Sequence, residues 1–429
     1  MFVDFERLVQ ILPVIKVAHL LRKYNPDEWG GTEAAVKRLV EGLRRHGTES
    51  VVFGPRLSHV PATDPFAASG FKVRTFNAIL PIWRISEAQR QEMIAIGGNI
   101  FSFDLIGQLM REKGLNLINT HATNRLGGTA LTIARLRKIP VVVTIHGGLF
   151  DLPASVREQL AKPARGGIDW GKGLGLFLRS KKVIAQADAI VTCNVREAEL
   201  ISQRFPNQRV VVQPHGVSAR RYQASEGETV DREYPQLKDH PYLLVLGRLD
   251  PVKNQGWLLG QAPELLRRYP DLRFVLAGSC TNEGYGTELR ATIAGLGLED
   301  RVIQTGGLPP EDPRLIGLLQ RAKGVVVPSL SETFGIVILE AWAAGAPVIS
   351  SKTSGALGLV KPGENGWLFD LEDPAAFHNA VDQIMTRPDT AAAMAAQGMK
   401  EVAAIYDSDV LAGKVNQLYG ELIERRKRL

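Results

Sequence analysis

Short runs of β-branched and other apolar residues alternate along the chain with stretches whose apolar positions recur at helical spacing. The first series reads VIKVAHLL, AAVKRLVEGLRRHG and ESVVFG, and later LNLINTH, GTALTIARLRK and PVVVTIH. A second begins near Tyr242 with YLLVLG and runs through GWLLGQAPELLRRY, LRFVLAG, TELRATIAGLG, RVIQTGG, PRLIGLLQRA, GVVVPS and FGIVILEAWAAG to PVISS. Strands that are apolar throughout and separated by helices predict parallel sheets covered on both faces. The chain therefore reads as α/β, with two Rossmann-like, doubly wound domains.

Between the two series lies SARRYQASEGETVDREYPQLKDHP, polar and without apolar periodicity, which reads as a linker. The expected division is a first domain over 1–222, a second over 223–408 and a terminal helix over 409–429 that packs back toward the first. The length of 429 residues agrees, because a single core rarely grows that large.

Composition narrows the class. With 45% hydrophobic and 23% charged residues the chain is neither disordered nor fibrous. Asp4, Glu6 and Arg7 interrupt the opening where a signal core would be apolar, and no apolar run reaches the roughly 18 residues of a membrane span. A cytoplasmic protein is expected. Cys193 and Cys280 stand far apart, without the spacing of a zinc site or a disulfide framework. The net charge of +7 favours anionic partners, either phosphate-bearing small molecules or the inner face of a membrane, with small basic clusters at RSKK (Arg179 to Lys182) and at the terminal RRKRL. No nucleic-acid motif accompanies it, so nucleic acid is not an expected partner.

Ligands of such sheets bind beyond the carboxyl ends of strands, so residues that follow strands are the candidates. Gly30 and Gly31 precede a helix that Thr32 is placed to cap; a glycine pair lets backbone approach a ligand, and a helix start attracts phosphate. A plain turn would use the same residues, and the G-x-G-x-x-G of dinucleotide binding is absent there. His146 ends PVVVTIH, where an imidazole can donate to a hydroxyl or phosphate or move a proton; His121 ends LNLINTH in the same way. Arg248 and Lys253 follow YLLVLG and together would neutralise a diphosphate leaving group. In PSLSETFGIVILEAWAAGAP, Glu332 lies in the loop ahead of an apolar helix and Glu340 lies on it. A carboxylate on so apolar a helix needs either a partner or a ligand, and hydroxyls of a sugar or ribose would serve.

Taken together these residues resemble the retaining glycosyltransferases of the GT-B fold, in particular glycosyltransferase family 4. The likeness covers most of the chain and is strongest from Leu243 to Asp370, where E-x7-E sits in PSLSETFGIVILEAWAAGAPVISS and is followed by GENGWLF. The resemblance implies two domains facing a central cleft, an acceptor-side one first and a nucleotide-sugar donor domain second. It implies that Gly30 and Gly31 meet the diphosphate and that Arg248 and Lys253 bind it. Glu332, beside the backbone of Thr333, Phe334 and Gly335, would hold the donor sugar, Glu340 the ribose and His146 the transferred sugar.

The activity implied is transfer of a hexose from a UDP- or GDP-linked donor to a hydroxyl of a sugar, lipid-linked or polysaccharide acceptor. No metal and no cofactor is implied beyond the nucleotide sugar, and DSD at Asp407 to Asp409 reads as the start of the final helix. Two departures from the family pattern stand out. Gly147 and Gly148 follow His146, and His215 replaces a more usual asparagine in PHGV, a change expected to touch only the linker. PARGGIDWGKGLGLFLRSKK, Pro163 to Lys182, has no family counterpart and reads as a flexible piece that could line an acceptor site. Two other readings share these residues: a disaccharide or sugar-phosphate synthase or phosphorylase, and a catalytically silent binding subunit.

Overall fold

The computed structural model describes residues 15–26, 31–56, 64–95, 97–147, 149–150, 168–280, 282–309 and 311–428. Gly30, Gly148 and residues 163–167, which carry expectations above, lie outside them. The chain forms two compact units. One comprises Met1–Thr192, Glu197–Gln213 and Ala412–Leu429, the other Cys193–Arg196 and Pro214–Leu411.

In the first unit the strands are β1 (Lys16–Leu20), β2 (Glu49–Pro55), β3 (Val73–Phe76), β4 (Ile82–Trp83), β5 (Leu117–Thr120), β6 (Val141–Ile145), β7 (Ile168–Asp169), β8 (Ala189–Thr192) and β9 (Val210–Val212). Seven of them form one parallel sheet in the order β3-β2-β1-β5-β6-β8-β9, and β4 pairs antiparallel with β7. Side chains alternate across the sheet. Ala18, Leu20, Ile118 and Val143 join one core, while Val17, Leu117, Val142, Ala189 and Val191 join the other. The second of these cores is closed by Val415, Leu418, Tyr419, Leu422 and Ile423 of the last helix, Ser408–Lys427. Asp407 Oδ1 accepts from the Asp409 N–H at 2.9 Å, so the DSD stretch opens that helix.

The second unit carries β10 (Tyr242–Leu246), β11 (Arg273–Ala277), β12 (Val302–Gly306), β13 (Gly324–Val327), β14 (Val348–Ser351) and β15 (Trp367–Phe369). They form a parallel sheet in the order β12-β11-β10-β13-β14-β15. Tyr242, Leu244, Val275 and Val325 face one core, and Leu243, Val245, Phe274 and Val326 the other.

Both orders reverse direction once. After three strands laid outward, the next strand returns to the other side of the first, between β1 and β5 in one sheet and between β10 and β13 in the other. That reversal opens a crevice at the strand ends, and it fixes where binding residues can sit.

The stretch expected to be a linker is helical. Ala219–Tyr222 and Gly227–Glu233 are α-helices, and Tyr222, Val230 and Leu237 are fully buried in the second core. Each short helix contributes one or two apolar anchors, too few for a periodic pattern. The segment from Ile168 is likewise folded: strand β7, a helix over Lys172–Phe177 and a 3-10 turn over Ser180–Lys182.

Candidate active site

The second unit places its candidates at the switch point. β10 runs into Gly247, whose φ of +145° turns the chain, and Arg248 follows. The pairing of β10 with β11 continues past the strands through Leu249 N–H to Ser279 O at 2.9 Å. It is so tight that a Cβ on Gly278 would stand 2.0 Å from Gly247 O. Arg248 is more than half exposed, with Nη2 3.1 Å from Asp250 Oδ2, and its carbonyl accepts from Gln255 Nε2 at 2.8 Å. Asp250 Oδ1 accepts from the backbone N–H groups of Val252 and Lys253 at 2.9 and 3.1 Å, which shapes the turn that carries Lys253.

Across the crevice β13 leads to Glu332. Leu330 N–H donates to Val252 O at 2.8 Å, joining the two loops. Lys253 Nζ lies 2.5 Å from Glu332 Oε2, and both side chains are largely buried. Arg248, Lys253 and Glu332 are thus brought to one place by strand order. Glu332 O accepts from Gly355 N–H at 2.8 Å, and a Cβ at 355 would stand 2.6 Å from the Phe334 backbone and 2.7 Å from Glu332 O. Asn194 Nδ2 donates to Thr333 O at 2.9 Å. Gly335 has φ +88° ahead of the helix Ile336–Ala343. Glu340 is the fifth residue of that helix and is buried, a turn further in than Glu332. His215 stands edge-on to Phe334, ring centroids 5.0 Å apart, so the departure at PHGV touches this loop as well as the segment after it. Asn365 of GENGWLF accepts from Lys361 N–H through Oδ1 at 2.7 Å and from Trp342 Nε1 through its carbonyl at 2.9 Å; that motif braces the helix.

In the first unit Gly31 and Thr32 both lie within the helix Gly31–Arg45, so Thr32 does not cap it. A Cβ on Gly31 would meet nothing within 4 Å, so packing inside the protein does not demand glycine there. His146 follows β6 directly and is not alone. His121 Nδ1 lies 2.7 Å from His146 Nε2, and His121 Nε2 lies 3.1 Å from His19 Nδ1. The three rings stand at the ends of β1, β5 and β6, neighbours in the sheet. Each faces the next, nitrogen to nitrogen, which is not a convergent metal-ligand set. His19 is fully buried, its Nε2 has no hydrogen-bond partner among the described residues, and burial lowers its pKa from 6.5 to about 3. Each nitrogen-to-nitrogen contact holds one proton, so the tautomers of the three rings are linked. Sequence reading missed His19; its signal is a histidine near the end of a third apolar run, VAHLL beside NTH and TIH.

Comparison with known proteins agrees with this fold. The glycosyl transferases group 1 family matches residues 228–401, within the second unit, and the glycosyl transferase 4-like domain matches residues 30–216, mainly in the first. The chain belongs to the family 4 glycosyltransferases, and its fold is GT-B. It is 30% identical over 292 residues to the D-inositol 3-phosphate glycosyltransferase of Acidothermus cellulolyticus, covering 66% of this chain and 62% of that one. It is 28% identical over 365 residues to the protein of the same name from Nocardia farcinica, covering 83% and 77%. The chain thus spans about three fifths of the first relative's length. In three dimensions it is similar to HepE of Anabaena, solved with UDP and glucose, with TM-score 0.70, 18% identity and coverage of 95% of this chain and 100% of that one.

Proposed function

We propose that the chain moves a hexose from a UDP- or GDP-linked donor to an acceptor hydroxyl, with retention and without a metal. The observation that carries the reading is the Lys253–Glu332 pair, with Arg248 beside it, at the switch point of the second sheet. A diphosphate placed there meets two cations, and the sugar it carries meets a carboxylate suited to accept from two hydroxyls. Glu340 serves the ribose, and the backbone of Thr333, Phe334 and Gly335 completes the donor contacts.

In the reaction the bond between the anomeric carbon and the leaving phosphate oxygen breaks while the acceptor oxygen bonds to that carbon. The acceptor proton passes to a phosphate oxygen, and Arg248 and Lys253 stabilise the charge left on the diphosphate. Glu332 holds a hydroxyl and is not the nucleophile. His146 serves the transferred sugar as a hydrogen-bonding group. Gly30 and Gly31 are assigned to the diphosphate by the family resemblance, Gly31 from within the helix Gly31–Arg45. The acceptor is a sugar, a lipid-linked sugar or a polysaccharide, and the enzyme works in the cytoplasm, at times against an anionic membrane. The relatives' name adds inositol phosphate to the acceptors to be tried.

Thermal stabilisation by a panel of nucleotide diphosphates and nucleotide sugars tests the donor site, with Arg248→Ala as comparison. A selective shift that shrinks in the variant is expected. No shift with any of them, or an equal shift in Arg248→Ala, overturns the reading.

A further inference from the structure

The first unit carries a set of large apolar side chains that its fold holds outward. Trp83 is 62% exposed, Leu176 81% and Phe177 79%, and Ile168 and Trp170 are exposed as well. They belong to one neighbourhood. Trp83 and Ile168 are register partners in the β4–β7 pair, and the rings of Trp83 and Trp170 lie 6.1 Å apart. The helix Lys172–Phe177 follows directly and ends in Leu176 and Phe177.

The backbone beneath them is anchored at both ends. The buried guanidinium of Arg125 pairs with Asp169 and donates to Gly171 O at 3.2 Å and to Asn99 O at 2.7 Å. Gly171 is pressed so closely on Pro81 that a Cβ would stand 2.3 Å from it. At the far end Leu178 is buried, and its carbonyl would lie 2.7 Å from a Cβ on Gly128. Pinned backbone with exposed apolar tips means the exposure is built in.

Charge surrounds the same tips. Arg84, Lys172, Arg179, Lys181 and Lys182 are exposed, and none pairs with a carboxylate among the described residues. Asp169 is the single acid between Ile168 and Lys182, and Arg125 takes it. Indole rings favour the boundary of lipid and water, and cations beside them are drawn to anionic headgroups. A second copy of this chain docking through the same face would set these cations against their own images. A nucleic acid would find its phosphates' partners here, but the most exposed tips are an aliphatic chain and a phenyl ring with no base-reading groups near them.

We propose that this face docks on the anionic surface of a lipid bilayer, Leu176 and Phe177 entering the interface and the cations resting on the headgroups. It deepens the membrane-facing part of the function above, and its test needs no catalysis. The intact chain is sedimented with vesicles of phosphatidylcholine alone and of phosphatidylcholine with phosphatidylglycerol, at low and high salt. Binding is expected only to the anionic vesicles and to weaken as salt rises. The double variant Leu176→Glu, Phe177→Glu should bind at least about tenfold more weakly. Lys181→Ala with Lys182→Ala should weaken binding and flatten its salt dependence. These side chains are exposed, so the variants' unfolding temperatures should match the parent's.

Equal binding to both vesicle types, binding unchanged in the variants, or no binding at all overturns the proposal. So does a concentration-dependent dimer that the Glu variants abolish without any vesicle binding, which would give the face to a second copy. Stabilisation by UDP, measured on the same preparations, reports on the donor site separately, so one idea can fail while the other stands.

Discussion

Glu332 and Lys253 already neutralise each other at 2.5 Å, so a ligand must compete for both. Replacing the acid frees the cation while removing the sugar's partner. Glu332→Gln is therefore expected to bind UDP as well as the parent or better, yet to lose the extra affinity for a UDP-sugar. A change of about tenfold in the ratio of the two constants, measured by calorimetry, is the size one charge-assisted hydrogen bond supports. An unchanged ratio would remove Glu332 from the sugar. His19 gives a different test. Its folded pKa is depressed to about 3, against about 6.5 when unfolded, so between these values the unfolded chain binds a proton that the folded one refuses. Stability should fall as pH drops below about 6.5, by up to about 1.4 kcal/mol per pH unit from this group. Denaturant melts of His19→Gln across that range should show a shallower slope, whatever its stability at neutral pH. The sequence showed Arg248, Lys253 and Glu332 because they lie in the short loops that follow the apolar runs YLLVLG and GVVVPS. It hid His19 because what joins that ring to His121 and His146 is the adjacency of β1, β5 and β6, a property of sheet order.

At the scale of elements, the alternation of apolar strands and amphipathic helices was legible because parallel strands buried on both faces need no polar positions. The helices over 218–241 were not, since one or two anchors each leave no period to read. Close approach between loops was also invisible. Gly278→Ala would drive a Cβ to 2.0 Å from Gly247 O and force β10 and β11 apart where Arg248 is set. It should cost about 2–4 kcal/mol in chemical denaturation and abolish the stabilisation by UDP. If stability drops while the nucleotide response survives, the strand-end pairing does not position Arg248. On the last helix, Tyr419 Oη accepts from Asn119 Nδ2 at 2.6 Å, both groups buried. Tyr419→Phe leaves that amide N–H without an acceptor and should cost about 1–3 kcal/mol, read as a lower melting temperature.

For the whole molecule, the two sheets share one winding and divide the chemistry. The cationic strand ends lie in the second unit, and the line of imidazoles lies in the first. Among the described residues no helix is long and apolar enough to cross a membrane. Residues 412–427 complete the first unit although they follow the whole of the second in the chain. During synthesis the second unit can therefore finish first, while the apolar face of Val17, Leu117, Val142 and Val191 waits uncovered until the closing helix leaves the ribosome. A late-made helix is thus the latch on the portion made first.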